Sequence, residues 1–368
     1  MLVPKLRFGE FKDEWKFYKF YDVVKITNGQ VNPNDNQYRN LPHIGPGNIE
    51  KRTGRLLKYN LAKNDNLISS KYLFDQNSVI YGKINPHFAK VCYPNFIGLC
   101  SADTYPINPN NSLLISQFLL YMLLTKKFTK FAISVSMRTG MPKINRNELG
   151  TYKFIIPPIV EQEKIANFLS LLDQKIEMQN KKIETLKIYK TGLIKQILNS
   201  SKNFKSKKLQ TICKNLLSNI TLSDIENDTG TYKIYGATGI IGNISNYMVD
   251  NTYISIIKDG AGVGKSFICE SFSSFLSTLI GLIPQDCTVE YLKIILENIN
   301  FSKYIVGSSI PHIYFKDFKN EIVKIIPYEE QLKISKIFNT INLKINLSEQ
   351  KLKILQKMKK SLLQQMFI

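Results

Sequence analysis

An internal repeat is the feature of this sequence that most constrains its fold. Residues 140–198 match residues 309–367 at one fixed offset of 169 positions, without a gap. The matching pairs include Pro142 and Pro311, Ile144 and Ile313, Ile156 and Ile325, Pro158 and Pro327, Gln162 and Gln331, and Ile165 and Ile334. Similarity at one fixed offset indicates that the chain contains two copies of one structural unit.

Each copy ends in a heptad pattern, in which apolar residues recur at steps of four and three. The apolar positions are Ile165, Leu169, Leu172, Ile176, Ile183, Leu186, Leu193 and Ile197 in the first copy, and Ile334, Phe338, Ile341, Ile345, Leu352, Leu355, Leu362 and Met366 in the second. This pattern predicts one long helix per copy, of the kind that supercoils around a partner helix. At about 39 residues and ~1.5 Å per residue, the first helix would be on the order of 55–60 Å long, which exceeds what a single globular domain requires.

Polar residues interrupt the heptad pattern at equivalent places in the two copies. They are Gln179 and Lys190 in the first copy and Ser348 and Lys359 in the second. Polar residues in such a seam can fix the register of two helices. Alternatively, the helix drifts relative to a 3.5-residue repeat, so that these positions turn toward water. The sequence leaves both interpretations open.

Mixed strand and helix patterns precede each long helix. Runs rich in Ile, Val, Tyr and Phe at 78–81 and 253–257 lead into glycine turns and predict strands. Residues 112–126 and 288–299 have helical periodicity, and the stretch 199–206, rich in Ser, Asn and Lys, indicates a linker. The fold class is therefore α/β (α+β), with two domains in tandem repeat.

These patterns divide the chain into four segments. Domains are expected at 1–157 and 201–326, and the long helices at 158–200 and 327–368. Each helix begins after a proline, whose fixed φ and missing N–H suit a first helical turn.

The chain is strongly basic. Its 50 Lys and Arg against 29 Asp and Glu give a net charge of +21 and a pI near 9.5. Residues 1–200 hold 29 basic against 15 acidic residues and the remainder holds 21 against 14, so both halves are basic. A charge of this size favours a polyanionic partner, and nucleic acid fits better than a membrane surface.

A membrane segment is not expected. The longest apolar stretch, 113–124, is shorter than the ~20 residues that a transmembrane helix needs. The first ten residues have no apolar core of signal-peptide length. We therefore expect a cytoplasmic protein.

Cysteine and histidine usage argues against metal and disulfide frameworks. The five cysteines form no CxxC pair, and the chain has three histidines. Most of the thiols are expected to be buried, since free cysteine packs as a small apolar residue. His43 and His312 are interpreted as structural residues, because no partner spacing supports a ligand role.

Two strings resemble enzyme motifs but fail in detail. Residues 260–266 resemble a phosphate-binding loop, but Asp259 stands where that loop needs its first glycine, and residues 267–269 predict a strand where a helix is required. Residues 85–88 resemble the Asn-Pro-Pro-aromatic motif of adenine methyltransferases, but His87 replaces the second proline. No catalytic residue, no cofactor site and no metal site is therefore predicted in this chain.

Along essentially its whole length, the sequence resembles the specificity (S) subunits of type I restriction-modification systems. The strings that carry the resemblance are Pro4-Lys5-Leu6-Arg7-Phe8 with Trp15, Tyr81-Gly82-Lys83-Ile84-Asn85-Pro86, Ile155-Ile156-Pro157-Pro158 with Glu161-Gln162, Asp259-Gly260-Ala261-Gly262-Val263-Gly264-Lys265, and Ile325-Ile326-Pro327 with Glu330-Gln331. Each string alone is common, but the combination of proline, Glu-Gln and a long helix occurs twice in this chain.

The resemblance implies a non-catalytic reader of double-stranded DNA. Each of the two target-recognition domains would read one half of a split asymmetric site, and the two long helices would pack as an antiparallel coiled coil that sets the spacer. The partners implied are two modification subunits, which bind S-adenosylmethionine and methylate adenine, and restriction subunits. Two other classes remain open: a purely structural coiled-coil protein and a non-specific basic nucleic-acid binder.

Candidate DNA-contacting residues follow from chemistry alone, as polar or basic side chains in loops near the predicted strands. In the first domain they are Lys83, Asn85, His87, Arg138 and Lys143, and in the second they are Lys258, Lys265, Ser308, Ser309 and His312.

Overall fold

A computed structural model gives the fold of this protein. It describes residues 3–136, 140–200, 203–226 and 228–368. The chain forms two compact units, of which the first comprises Met1–Asn180 with Gln350–Ile368 and the second comprises Lys181–Glu349. Each of the two long helices therefore contributes one segment to each unit.

The first unit is built from short strands and helices around a main core and a smaller apolar cluster. The strands are β1 (Lys16–Lys19), β2 (Val24–Ile26), β3 (Pro42–Ile44), β4 (Asn60–Leu61), β5 (Tyr72–Phe74), β6 (Val79–Gly82), β7 (Val91–Cys92), β8 (Gly98–Cys100), β9 (Thr104–Pro109) and β10 (Lys153–Ile156). The helices are α1 (Phe20–Val23), α2 (Ser116–Leu123), α3 (Lys126–Ser136), α4 (Arg146–Gly150) and α5 (Ile159–Ser200). The sheets have the strand orders β2-β9-β6-β7 and β4-β3-β8-β5, and β1 pairs with β10.

The core of the first unit lies between the β2-β9-β6-β7 sheet and its helices. Helix α2 is almost entirely buried, because apolar residues occupy most of its circumference. Aromatic rings connect the layers: Phe20 stacks on Phe154 with ring centroids 5.4 Å apart, and Trp15 meets Phe118 edge-on at 6.2 Å. Strand β6 is buried along its whole length. The position at which the next residues, beginning with Lys83, leave the core is therefore fixed by the sheet.

The second unit repeats this plan with different side chains. Its strands are β11 (Lys205–Lys208), β12 (Cys213–Leu217), β13 (Tyr232–Gly236), β14 (Gly239–Ile244), β15 (Tyr253–Ile257), β16 (Ser266–Cys269), β17 (Ser274–Phe275), β18 (Leu279–Pro284) and β19 (Ile322–Ile325). Its helices are α6 (Val289–Asn298), α7 (Phe315–Phe318) and α8 (Tyr328–Gln365). The order β12-β18-β15-β16 corresponds to β2-β9-β6-β7, and the pair β11-β19 corresponds to β1-β10.

Segments of α5 and α8 pack antiparallel within each unit. In the first unit, Met366, the residue just after α8, joins the core that contains Ile165 of α5. Lys359, seven residues earlier and within α8, reaches Asp173 of α5. In the second unit, Lys187 of α5 pairs with Glu349 of α8 at 2.7 Å.

All sixteen seam positions are buried or half-buried. The buried ones are Ile165, Leu169, Leu172, Ile183, Ile334, Phe338, Ile341, Ile345 and Met366, and the half-buried ones are Ile176, Leu186, Leu193, Ile197, Leu352, Leu355 and Leu362. Toward the end of each helix the fully buried position moves by one residue, to Ile194 and Leu363. This shift is what a helix of 3.6 residues per turn accumulates against a strict seven-residue repeat.

The polar interruptions of the seam do not turn toward water. Gln179, Ser348 and Lys359 are 8%, 5% and 7% exposed, and Lys190 is half-buried. For the first three positions the interpretation as water-facing drift is wrong, while a role in fixing register stays a prediction.

A buried carboxylate holds the N-terminal segment against the start of α5. Arg7 donates from Nε and Nη2 to the two carboxylate oxygens of Glu161, at 2.8 and 2.7 Å, and the indole N–H of Trp15 donates to the same group at 3.3 Å. This bidentate geometry is the strong form of an ion pair. It is needed because Glu161 is fully buried and an unpaired buried charge is very costly.

A glutamine in the first turn of each long helix bonds to main-chain groups of its own unit. Gln162 accepts a hydrogen bond from the N–H of Ile115 at 3.1 Å and donates to the segment just before α5 at 2.9 Å. Gln331 accepts from the N–H of Thr288 at 2.9 Å and donates to the segment just before α8 at 2.9 Å. The Glu-Gln repeat in the sequence is therefore a repeated joint between helix and domain.

Two sequence expectations need correction. The helical pattern at 112–126 is resolved as α2, which begins at Ser116, and a second helix, α3, begins at Lys126. The expected linker 199–206 is shorter, because its first two residues still belong to α5 and Lys205 and Ser206 belong to β11. Strand β11 is held by backbone pairing with β19. Its side chains are mostly exposed lysines, so the sequence shows no apolar alternation that would predict a strand there. The expected strands at 78–81 and 253–257 and the helix at 288–299 are confirmed within one residue at each end.

No helix in the described ranges combines the length and the apolar character that crossing a membrane requires.

Candidate nucleic-acid interface

The residues that follow β6 pair with a second segment of the first unit. The N–H of Asn85 donates to the carbonyl of Pro142 at 2.8 Å, and the N–H of Ile144 donates to the carbonyl of Lys83 at 3.1 Å. Asn85 adopts a left-handed φ of 51°, a conformation that asparagine tolerates better than most residues. These bonds bring Lys83, Asn85 and Lys143 together on one ladder.

Basic and aromatic side chains surround this ladder. The Nζ of Lys83 lies 5.3 Å from the ring centroid of Tyr105, and the Arg146 guanidinium lies 5.1 Å from the same ring and 5.6 Å from that of Tyr72. Partial burial lowers the pKa of Lys83, and the nearby positive charge of Lys143 lowers it further. Repulsion between neighbouring lysines makes a site that an anion would stabilise.

The guanidinium of Arg146 is held by main-chain groups. It donates to the carbonyl groups of Ile26 and Thr27 at 3.2 and 2.7 Å. Helix α4 begins at Arg146, after a capping box in which Asn145 and Glu148 bond reciprocally. The position of this cation is therefore fixed by the fold.

A short 3-10 turn at Pro86–Phe88 continues from the ladder. His87 is exposed, and its carbonyl accepts hydrogen bonds from Nε and Nη2 of Arg52 at 3.2 and 3.0 Å. The Nζ of Lys51 lies 3.7 Å from the ring centroid of Phe88. The turn thus presents His87 beside two further cations.

The second unit contains the same ladder at the end of β15. The N–H of Gly260 donates to the carbonyl of Pro311 at 2.9 Å, and the N–H of Ile313 donates to the carbonyl of Lys258 at 3.0 Å. Gly260 has a φ of 91°, the left-handed conformation that Asn85 adopts in the first unit. The internal repeat therefore extends to the individual backbone hydrogen bonds of this site.

The side chains on the second ladder differ from those on the first. Lys258 lies 3.6 Å from the carboxylate of Asp259, whereas the equivalent neighbour of Lys83 is Ile84. His312 stands where Lys143 stands, and its ring packs edge-on against Tyr314 at 5.3 Å. Lys265 is exposed, at the end of a glycine turn that leads into β16.

The structure brings most of the predicted DNA-contacting residues to these two places. In the first unit Lys83, Asn85 and Lys143 share the ladder and His87 occupies the adjoining turn. In the second, Lys258 and His312 share the ladder, Lys265 borders it, and Ser308 and Ser309 lie in the exposed turn before it. Arg138 lies outside the residues that the structure describes. Contact of these side chains with DNA stays a prediction.

The sequence did not identify Arg146, Lys51 and Arg52 as part of the site, nor the rings of Tyr72 and Tyr105 that pack beside Arg146. Arg146 lies three residues after Lys143, so its proximity to that lysine was a usable signal. Nothing local in the sequence places two tyrosines from β5 and β9 beside one arginine.

The structure shows which element follows the string that resembles a phosphate-binding loop. The string 260–266 forms a turn followed by strand β16, so it lacks the helix N-terminus that a phosphate-binding loop uses. In the part of the chain that the structure describes, no cluster of three or more His, Cys, Asp or Glu side chains could hold a metal ion. The five cysteines are free and buried, as the sequence predicts.

Comparison with known proteins agrees with this architecture. Residues 12–187 and 201–357 match the family model described as the type I restriction modification DNA specificity domain. The chain is 36% identical over 154 residues to the type I restriction enzyme EcoDI specificity subunit of Escherichia coli, which covers 42% of this chain and 34% of that protein. It is 24% identical over 225 residues to the putative type I restriction enzyme MjaX specificity subunit of Methanocaldococcus jannaschii, covering 56% of this chain and 52% of that protein. The chain thus spans about a third to a half of the length of these relatives.

Two solved structures share the fold. The S subunit of a type I restriction-modification system from M. genitalium superimposes with a TM-score of 0.66 at 16% identity, over 100% of this chain and 99% of that one. A chain from a structure on complex assembly and conformational transition of the type I R-M system gives a TM-score of 0.56 at 15% identity, over 96% and 97%.

Proposed function

Because the chain belongs to the family of type I restriction-modification DNA specificity domains, we propose that it is the DNA-reading subunit of such a complex. Each unit reads one half of a bipartite asymmetric site. The long helices set the spacer between the half-sites and dock two modification subunits, which carry S-adenosylmethionine, and restriction subunits join that assembly.

The observation that carries the proposal is the duplicated ladder. Two equivalent backbone frames present different side chains, with Lys143 in one and His312 in the other, and Ile84 in one and Asp259 in the other. The same backbone geometry with different side chains suits two domains that approach DNA in the same way but read different base sequences. A single-purpose structural protein has no need of this arrangement.

The charge distribution supports DNA as the ligand. Phosphate contacts by Lys and Arg fix register on the duplex, and contacts to base edges supply specificity. The first site combines fixed cations such as Arg146 with less constrained polar groups such as Asn85, whose side-chain amide can bond an adenine edge.

The helices carry exposed apolar side chains that support a docking role. On α5 these are Leu171, Met178 and Ile188, and on α8 they are Leu343, Leu347 and Ile354, each more than half exposed. Exposed apolar side chains one turn apart on the same face of a helix, such as Leu343 and Leu347, can contribute to an interaction surface. We assign this surface to the modification subunits.

In this proposal the chain itself performs no chemistry. Incubation of the isolated chain with labelled S-adenosylmethionine and DNA should give no adenine methylation, and incubation with Mg²⁺ should give no cleavage. Methyl transfer by the chain alone would contradict the proposal.

The decisive test is an exchange of domains. Replacing residues 1–157 by the matching domain of another specificity subunit, in a complex with the modification subunit, should change one half of the methylated motif and leave the other unchanged. Single-molecule sequencing of methylated DNA reads the motif directly. A change in both halves would refute the modular reading, and protection of random DNA without a bipartite footprint would indicate a non-specific binder.

A further inference from the structure

Lys190 and Lys359 occupy equivalent positions in the two long helices, where the seam would otherwise be apolar. Their side chains are 15% and 8% exposed, although lysine is among the residues most rarely buried. Reading DNA by the two ladders does not explain them, because both lie on the long helices. Their contacts within each unit suggest a reason.

In the first unit, Lys359 joins α8 to α5 and to a loop of the domain. Its Nζ lies 2.5 Å from the carboxylate of Asp173 and donates to the carbonyl of Thr53 at 2.6 Å. The same carboxylate accepts a hydrogen bond from the hydroxyl of Tyr121 at 2.9 Å. The lysine is therefore the centre of a polar network beneath the loop that contains Thr53.

That loop also holds the turn of the candidate DNA site. Arg52, next to Thr53, bonds the carbonyl of His87 through its guanidinium and the carbonyl of Ala89 through its N–H, at 3.3 Å for the latter. Arg52 has a left-handed φ of 64°, so the loop keeps a backbone conformation that needs support. Contacts thus run without a gap from Lys359 through the loop to the turn that carries His87.

In the second unit, Lys190 starts an equivalent chain of contacts with other residues. Its Nζ pairs with Glu297 of α6 at 2.7 Å, and Glu297 also pairs with Lys293 at 2.7 Å. Lys293 then donates to the hydroxyl of Ser266 at 3.1 Å. Ser266 follows Lys265, the exposed lysine at the end of the glycine turn.

We propose that Lys359 and Lys190 are positioning residues, each of which anchors the DNA-reading turn of one unit to a long helix. The proposal rests on the proposed function. Its particular content is a crossed assignment: Lys359, which follows the second domain in the sequence, controls reading by the first unit. Lys190, which follows the first domain, controls reading by the second.

Lysine-to-methionine substitutions separate positioning from folding. Methionine has a similar length and no charge. Removing one member of an ion pair is costly when it leaves the other charge buried and unpaired, and neither carboxylate is left in that state here. Asp173 keeps its bond to Tyr121, and its side chain is 35% exposed; Glu297 keeps Lys293. Both substitutions nevertheless remove the first link between the helix and the reading turn.

The experiment uses the full chain in complex with its modification subunit. Binding is measured by competition with duplexes that carry one mismatch in either half-site, after the domain exchange has assigned each half-site to a unit. Lys359→Met should reduce discrimination by about ten-fold at the half-site of the first unit only, and Lys190→Met at that of the second unit only, since one base pair carries discrimination of this order. Exposed lysines on the same helices give matched controls, Lys360→Met and Lys195→Met, which should leave both half-sites unchanged.

Rescue distinguishes a positioning role from a stabilising one. Lys359→Arg keeps the charge and should restore most of the discrimination. Ser266→Ala removes the last contact in the second unit without disturbing the ion pairs, and should loosen the second half-site at an unchanged melting temperature, even if Lys190→Met does not fold.

Three results would overturn the inference: equal loss at both half-sites, unaltered discrimination in folded variants, or an uncrossed pattern in which each lysine controls the domain that precedes it in the sequence. A wild-type complex that reads no bipartite site would contradict the proposed function itself, which keeps the two failures distinct.

Discussion

Under the proposed function, the length of the paired helices should set the distance between the two half-sites. The perturbation that tests this is the insertion of one heptad into each long helix, where the helix passes from one unit to the other. These points follow Asn180 in α5 and Glu349 in α8. Duplicating residues 174–180 and 343–349, which are equivalent in the repeat, preserves the seam and keeps the Lys187–Glu349 ion pair inside the second unit.

The expected change follows from helix geometry. Seven residues at ~1.5 Å per residue lengthen the pair by about 10 Å, which corresponds to about three base pairs at ~3.4 Å each. Three base pairs turn the DNA by about 100°, at 10 to 10.5 base pairs per turn, whereas one heptad of a supercoil with a pitch of ~150 Å turns by about 25°. The spacer should therefore lengthen by about three base pairs, with a lower methylation rate because of the residual twist.

Single-molecule sequencing of a host that expresses the variant with its modification subunit gives the methylated motif. Both half-sites should be retained with a longer spacer. The control is an insertion in α5 alone, which shifts one helix against the other and should abolish activity. A folded, active double-insertion variant with the original spacer would refute the reasoning and leave the helices as a docking surface only.

Three further expectations concern charge, packing and thiols. Lys83→Glu and Lys265→Glu should each flatten the dependence of log K on log salt by at least ~0.9 for every phosphate that the variant no longer neutralises, and an unchanged slope removes that lysine from the DNA interface. Glu161→Leu leaves Arg7 without its carboxylate and should cost about 3–5 kcal/mol in urea unfolding, with partial recovery in the double variant Arg7→Met/Glu161→Leu; a loss below 1 kcal/mol would contradict a buried ion pair. Burial raises the pKa of the Cys269 thiol to about 11, and the other four cysteines are shifted in the same direction. Because the folded state favours the protonated thiol, stability should hold up to about pH 8.5 and fall above it, and thiol reagents should label the chain only after unfolding; prompt labelling at pH 8 would disagree.

The parts of the fold that could be predicted from the sequence are those set by local periodicity. The heptads from Ile165 and Ile334 specify long helices, because one buried stripe recurs over many turns. The strand at Tyr253–Ile257 was visible as a short apolar run before a turn. Strand β11 was not, since its side chains are exposed and its backbone partner lies more than a hundred residues away.

In the candidate site, too, the sequence indicates local features but not long-range contacts. Lys83 and Lys143 were identified from residue type and loop position, but their adjacency depends on hydrogen bonds between segments about 60 residues apart. The network around Lys359 could not be inferred at all, because it joins the end of α8 to Thr53 near the start of the chain. Long-range pairing of this kind leaves no periodic trace in a single sequence.

The glutamine joints at Gln162 and Gln331 bear on how such a protein changes over generations. Their hydrogen bonds to the two domains run to main-chain groups, which every amino acid except proline supplies alike. A domain from another subunit could therefore form the same hydrogen bonds with the glutamine, whatever its side chains, provided that it has a helix start and an extended segment at the same place. Under the proposed function, recombination that replaces one domain would give the protein a new target sequence in one event, while the helices and the partners assigned to them would stay the same.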